Sequence, residues 1–127
     1  MYSVPMLFVK DVQGTAQWYQ SLLGAQPTHG GDEFEMLQAD GRTLLQLHLI
    51  EDGHHNHQVD LTPPFGNGCV LVVYVDSAAD CYAQAQSMGA TIRSELFFNE
   101  PIHMHEFTLA DPNGYAVMVC EANWAQG

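Results

Sequence analysis

VPMLFVKDVQGTAQWYQSLLGA at 4–25 and VLVVYVDSAADCYAQAQSMGA at 70–90 are two versions of one pattern, superposed without a gap at an offset of 65 residues. Met6-Leu7-Phe8 stands over Leu71-Val72-Val73, Asp11 over Asp76, and Gly24 over Gly89. Each copy reads as an apolar strand, an aspartate at a helix start, and a glycine where the helix stops. A unit of about sixty residues that buries one sheet face is incomplete alone. Two copies are therefore expected to enclose a common cleft.

The rest of the chain extends the pattern. Val4 to Val9 reads as a strand with Pro5 at its beginning, where a missing N–H does least harm. After the Asp11 cap, Val12, Ala16, Tyr19 and Leu23 share a helical face. Phe34 to Gln38 and Thr43 to Ile50 read as strands joined at Asp40-Gly41. Residues 51–68 (EDGHHNHQVDLTPPFGNG) are acidic, His-rich and broken by prolines and glycines, as a linker would be. Cys69 to Val75 is then a strand, and Asp76 or Ser77 caps a helix with Ala78, Cys81, Tyr82, Ala85 and Met88 inward. Strands follow at Thr91 to Phe98, His105 to Leu109 and Tyr115 to Glu121, with a turn at Asp111-Pro112-Asn113-Gly114. Strands grouped after each helix exclude a doubly wound sheet. The expected fold is α+β: one domain, 1–127, of two βαβββ modules at about 1–50 and 69–123.

Composition narrows the function. The chain has 127 residues, 46% of them apolar, and no segment approaches a membrane span of roughly 18 apolar residues. With no basic, apolar leader pattern at the N-terminus, a soluble cytoplasmic protein is expected. Cys69, Cys81 and Cys120 lack CxxC spacing and read as buried thiols. Only Lys10, Arg42 and Arg93 oppose fifteen carboxylates, for a formal net charge of −12. Such a surface repels nucleic acid and anionic membranes and favours cationic ligands. Neither a Ser/His/Asp arrangement nor a glycine-rich phosphate loop is recognisable, so no nucleotide cofactor is expected.

The blocks at 4–25 and 70–90, with EFTLADPNGYAVMV at 106–119, resemble the vicinal oxygen chelate superfamily of glyoxalase I, extradiol dioxygenases, and fosfomycin- and bleomycin-resistance proteins. The opening SVPML…DV and the run NEPIHMHEFTLADPNG are most similar to the bleomycin-resistance type, which implies antibiotic sequestration. The resemblance implies paired βαβββ modules, commonly assembled as homodimers, that hold ligands against concave sheets. Metal enzymes of the superfamily place His, Gln or Glu from four strands in that concavity. The matching positions here are Val4, Leu45 or Gln46, Val70 and Met118. Three of the four offer no oxygen or nitrogen donor, so no metal is expected at the family positions.

Histidine offers another route to a metal, because His48, His54, His55, His57, His103 and His105 are concentrated in two stretches. Alternation puts His103 and His105 on one strand face, and with His48 they form an alternative site for Zn, Ni, Fe or Mn. Glu51, Asp52 and Glu106 are possible additional ligands. Such a site implies a lyase, thiol transferase or dioxygenase, and His48 or His105 is also a candidate general base.

Strand periodicity also sorts the cleft from the core. Leu45, Leu47 and Leu49 are expected to pack on a helix, with Gln46, His48 and Ile50 opposite. In the same phase Val4, Met6 and Phe8, then Val70, Val72 and Tyr74, then Ala116, Met118 and Cys120 face the cleft. The candidate ligand-binding residues are Phe8, Gln46, His48, Tyr74, His105, Phe107 and Met118. Glu106 and Phe107 match the superfamily's EF pair, with Glu106 read as solvent-facing. The expected function is the binding of a small organic, cationic molecule by a homodimer without a metal.

Overall fold

The computed structural model describes residues 1–50, 57 and 59–122. They form two units, Met1–Pro63 and Pro64–Gly127. In the first, β1 (Met6–Val9) leads to α1 (Val12–Leu23), then β2 (Gln26–Pro27), β3 (Phe34–Ala39) and β4 (Arg42–Leu49). In the second, β5 (Val70–Val75) leads to α2 (Ala78–Ser87), then β6 (Thr91–Asn99), β7 (Met104–Ala110) and β8 (Ala116–Glu121). Each is a βαβββ module, and the fold is α+β.

The sheets have the same topology, β1-β4-β3-β2 and β5-β8-β7-β6. The first strand of each lies parallel to the last, Met6 opposite Gln46 and Val72 opposite Met118. The helix makes the crossover that a parallel pair requires. Pro5 lies just outside β1, yet its carbonyl still accepts from the Gln46 N–H at 2.9 Å. The two-residue β2 was not apparent in the sequence. It pairs at the sheet edge, where a proline is tolerated.

Local chemistry explains where the elements begin and end. Asp11 caps α1 by accepting from the Gly14 N–H at 3.0 Å. A Cβ at position 14 would lie 2.3 Å from the Asp11 carboxylate, so a larger residue there would require the capping side chain to shift. Of the two candidate caps for α2, Ser77 is the one used, accepting from the Asp80 N–H at 3.1 Å. The end of α2 is a Schellman motif. Ala90 N–H donates to the Ala85 carbonyl and Gly89 N–H to the Gln86 carbonyl, with Gly89 at φ 68°. Asp40 and Gly41, both at positive φ, form the tight β3–β4 turn. At the β7–β8 turn the buried Asp111 accepts from the N–H groups of Asn113 and Tyr115.

Each helix covers one sheet face. Val12, Thr15, Ala16, Tyr19 and Leu22 of α1 are buried, so Leu22 takes the inward place expected of Leu23. Leu7, Val9, Leu37, Leu45 and Leu47 are also buried, while Leu49 is half-buried at the strand end. In the second unit Tyr82 of α2 meets Phe107 edge-on, centroids 5.0 Å apart, above Leu109, Val117 and Val119.

One carboxylate lies within the first helix-covered layer. Glu35 has no exposed surface. Its Oε1 accepts from the N–H groups of Thr28, His29 and Met36, and its Oε2 from Gly30 N–H and the Gln13 side chain. Burial pushes this carboxyl upward. The bonds from Gln13, His29, Met36 and Gly30 outweigh that and hold it at about 2. Five donors from α1, β3 and the loop before it thus converge on one side chain.

Because the folded value lies below the unfolded one, the Glu35 contribution is complete above about pH 4.5 and fades as pH falls towards 2. Glu35→Gln leaves backbone N–H groups unsatisfied, at about 1–3 kcal/mol each, and is expected to lower the thermal midpoint at pH 7. The variant should also lose part of the acid dependence between pH 4.5 and 2. Thermal unfolding of both proteins across that range checks it; parallel curves would assign the clamp no role.

Candidate functional site

Residues paired across strands point to the same sheet face, so the registers identify what lies opposite each helix. On the first sheet one row is Met6, Gln46 and Met36, and the next is Phe8, His48 and Phe34. This resolves the choice at 45 or 46: Leu45 is buried on the helix side, and Gln46 is on the open face. The rings of Phe8 and His48 meet at 45°, with centroids 5.0 Å apart. His57 joins them, 5.6 Å from His48 and 6.1 Å from Phe8. His48 Nδ1 lies 2.8 Å from the Leu49 carbonyl, which can only accept. Nδ1 therefore carries the proton, leaving Nε2 of the neutral ring as a lone-pair donor.

On the second sheet, Val70 and Ala116 form one row, and Val72, Met118 and Thr108 the next. The row beyond runs across all four strands as Tyr74, Cys120, Glu106 and Phe97. Val70, Val72, Tyr74 and Phe97 are each more than 40% exposed. Cys120 and Glu106, between the two rings, are buried. Burial, and then the neighbouring Glu106 charge, push the Cys120 thiol upward, so it is a poor nucleophile. Burial alone raises Cys81 to about 11. Cys69 is exposed, contrary to the expectation of three buried thiols.

The candidate ligand residues thus divide by face. Phe8, Gln46 and His48 share the open face of the first sheet, and Tyr74 and Met118 that of the second. Phe107 lies on the other face, fully buried beneath α2. His105 is on that side too: it pairs with Glu121 at 3.4 Å, and Glu121 accepts from Ala78 N–H at the start of α2. His103 is not in β7, as alternation suggested, but precedes it in the left-handed region at φ 52°. A short 3-10 turn, Glu100–Ile102, displaces it from the strand. The rings of His103 and His105 both lie against Phe98, at 5.8 and 5.0 Å.

His48 belongs to one unit and His103 and His105 to the other. Among the described residues no group of three or more His, Cys, Asp or Glu is placed to hold a metal ion. His54, His55, Glu51, Asp52 and Trp124 lie outside the described residues. Glu106, expected to face solvent, is only 6% exposed. Strand alternation could have located its face, but not the burial, which depends on neighbours from other strands. Phe34 and Phe97 were likewise missed, because register rather than sequence brings them beside His48 and Glu106, and the approach of His57 to His48 and Phe8 is made by a turn outside the strands.

The chain belongs to the glyoxalase/bleomycin resistance protein/dioxygenase superfamily, whose model matches residues 3–119. Several solved structures share the fold. TioX from Micromonospora sp. ML1 has a TM-score of 0.71 at 14% identity, covering 96% of each chain. A family enzyme from Burkholderia phytofirmans PsJN has a TM-score of 0.71 at 17% identity, covering 94% of this chain and 96% of that one. A bleomycin resistance determinant encoded on transposon Tn5 has a TM-score of 0.67 at 18% identity, covering 95% and 97%. No curated protein matches the chain significantly. Among the described residues no helix is long and apolar enough to cross a membrane.

The imidazole geometry leads to a direct test. Long-range proton–nitrogen NMR near pH 8 should show His48 as the Nδ1–H tautomer. An Nε2–H signal for His48 would contradict the bond to Leu49.

Proposed function

We propose that this protein binds a small organic cation against the open faces of its sheets, without the superfamily's divalent metal, as a bleomycin-resistance type of homodimer. One observation carries this above the others. The positions corresponding to the superfamily's metal ligands hold Val4, Gln46, Val70 and Met118, and only Gln46 has an oxygen or nitrogen in its side chain. One neutral amide does not fit a divalent cation that requires three or four hard or borderline donors. The same faces carry Phe8, Phe34, Tyr74 and Phe97, with Met6, Met36 and Met118, an adaptable lining that suits planar organic bodies. The net charge of −12 favours a cation. Sequestration needs only this, and a ligand of that kind is consistent with an antibiotic-resistance role.

One observation favours a second function, an enzyme with a histidine-held metal. The rings of His48 and His57 lie 5.6 Å apart between centroids, two nitrogen donors that a metal would need one or two further ligands to join. Zn, Ni, Fe or Mn held there would act as a Lewis acid or redox centre in lyase, thiol transferase or dioxygenase chemistry.

Thermal unfolding with a cationic glycopeptide of the bleomycin class is the first measurement. At a hundredfold excess over Kd the midpoint should rise by roughly 5–10 °C, and less as salt is added. No shift with this compound or other cationic aromatics removes the proposal. Calorimetric titration with Zn, Ni, Fe(II) and Mn separates the two functions: metal-independent binding expects nothing tighter than millimolar, and a stoichiometric micromolar site supports the enzyme.

A further inference from the structure

We propose that Glu106 is the anionic contact for a protonated or quaternary nitrogen of the ligand, with the Phe97 ring beside it and Tyr74 receiving the ligand's planar body. This rests on the ligand-binding function above and assigns the part of the second sheet that reads the positive charge.

The two buried glutamates among the described residues differ in their compensation. Glu35, beneath α1, is saturated by five donors. Glu106 is 6% exposed, and among the described residues its one hydrogen-bond donor is the Asn99 side chain, on Oε1. No described lysine, arginine or histidine pairs with it; His105 instead lies 3.4 Å from Glu121, on the opposite face. Its strand neighbour Cys120 is a buried thiol that supplies no positive charge. A buried carboxylate with a single donor is costly, and an external cation would relieve that cost.

The geometry of the row selects the kind of cation. Phe97 is directly opposite Glu106 on the neighbouring strand, so the two side chains leave the same face side by side, where a cation between them could meet both the carboxylate and the ring. Tyr74 lies two strands from Glu106 on the other side, about 10 Å between backbones, with Cys120 between them. Both rings are 45% exposed, so a ligand can lie along the row. A compact ammonium or quaternary nitrogen joined to a flat body matches this spacing, whereas an anion would meet Glu106 with no compensating cation on the row.

Benzyltrimethylammonium is the probe and benzyl alcohol its neutral control, titrated into the full chain and followed by NMR. Wild type should bind the cation, and Glu106→Gln, which can still accept from Asn99, should lose about tenfold in affinity while benzyl alcohol is unaffected. Phe97→Leu should lose a smaller factor, again for the cation only. If Glu106→Gln does not fold, salt dependence in wild type decides: binding of the cation must weaken between about 10 and 300 mM salt while that of benzyl alcohol does not. Equal affinity of wild type and Glu106→Gln for the cation overturns the inference, as does absence of binding to wild type at about 20 mM. A glycopeptide that stabilises wild type and Glu106→Gln alike would leave the ligand-binding function standing and remove Glu106 from it.

Discussion

Everything in each module depends on the parallel pairing of its first strand with its last. Met6 to Val9 against Gln46 to Leu49, and Val70 to Val75 against Ala116 to Glu121, place the last strand in the interior of the sheet. A parallel pair cannot be closed by a tight turn, so the helix must cross over and cover one face. The covered face then takes Leu7, Leu47 and Leu45 in one module and Val117, Val119 and Phe107 in the other. The other face of each sheet is not covered by its own helix. A slip of one residue would exchange Gln46 and His48 for leucines.

The same duplicated frame gives its two buried glutamates opposite environments. Glu35 is on the helix-covered face, where a helix side chain and loop amides reach it, and it ties α1, β3 and the loop between them. Glu106 is on the uncovered face, beside Asn99 and between exposed rings. One carboxylate ties several elements together through five donors, and the other has a single described donor, Asn99. The residue type is the same; the sheet face separates their roles.

The face away from the helix carries Met6, Phe8, Gln46 and His48 in one module and Val70, Val72, Tyr74 and Met118 in the other. Fold and ligand chemistry are separable because the helix-side residues carry the stability. The open-face residues are therefore free to change.

Much of this was legible from residue order alone. The 65-residue repeat, the Asp11 cap, the Asp40-Gly41 turn and the DPNG turn are local signals, each produced by backbone geometry within a few residues. Strand alternation likewise placed Gln46, His48, Tyr74 and Met118 opposite the helices. The 3-10 turn that removes His103 from β7 was not legible, nor was the side on which His105 lies, because both depend on where β7 begins. The burial of Glu106, its pairing with Phe97 and the approach of His57 to His48 needed tertiary structure. They join residues from separate strands and loops, and one chain's periodicity states which way a side chain points but not what it meets.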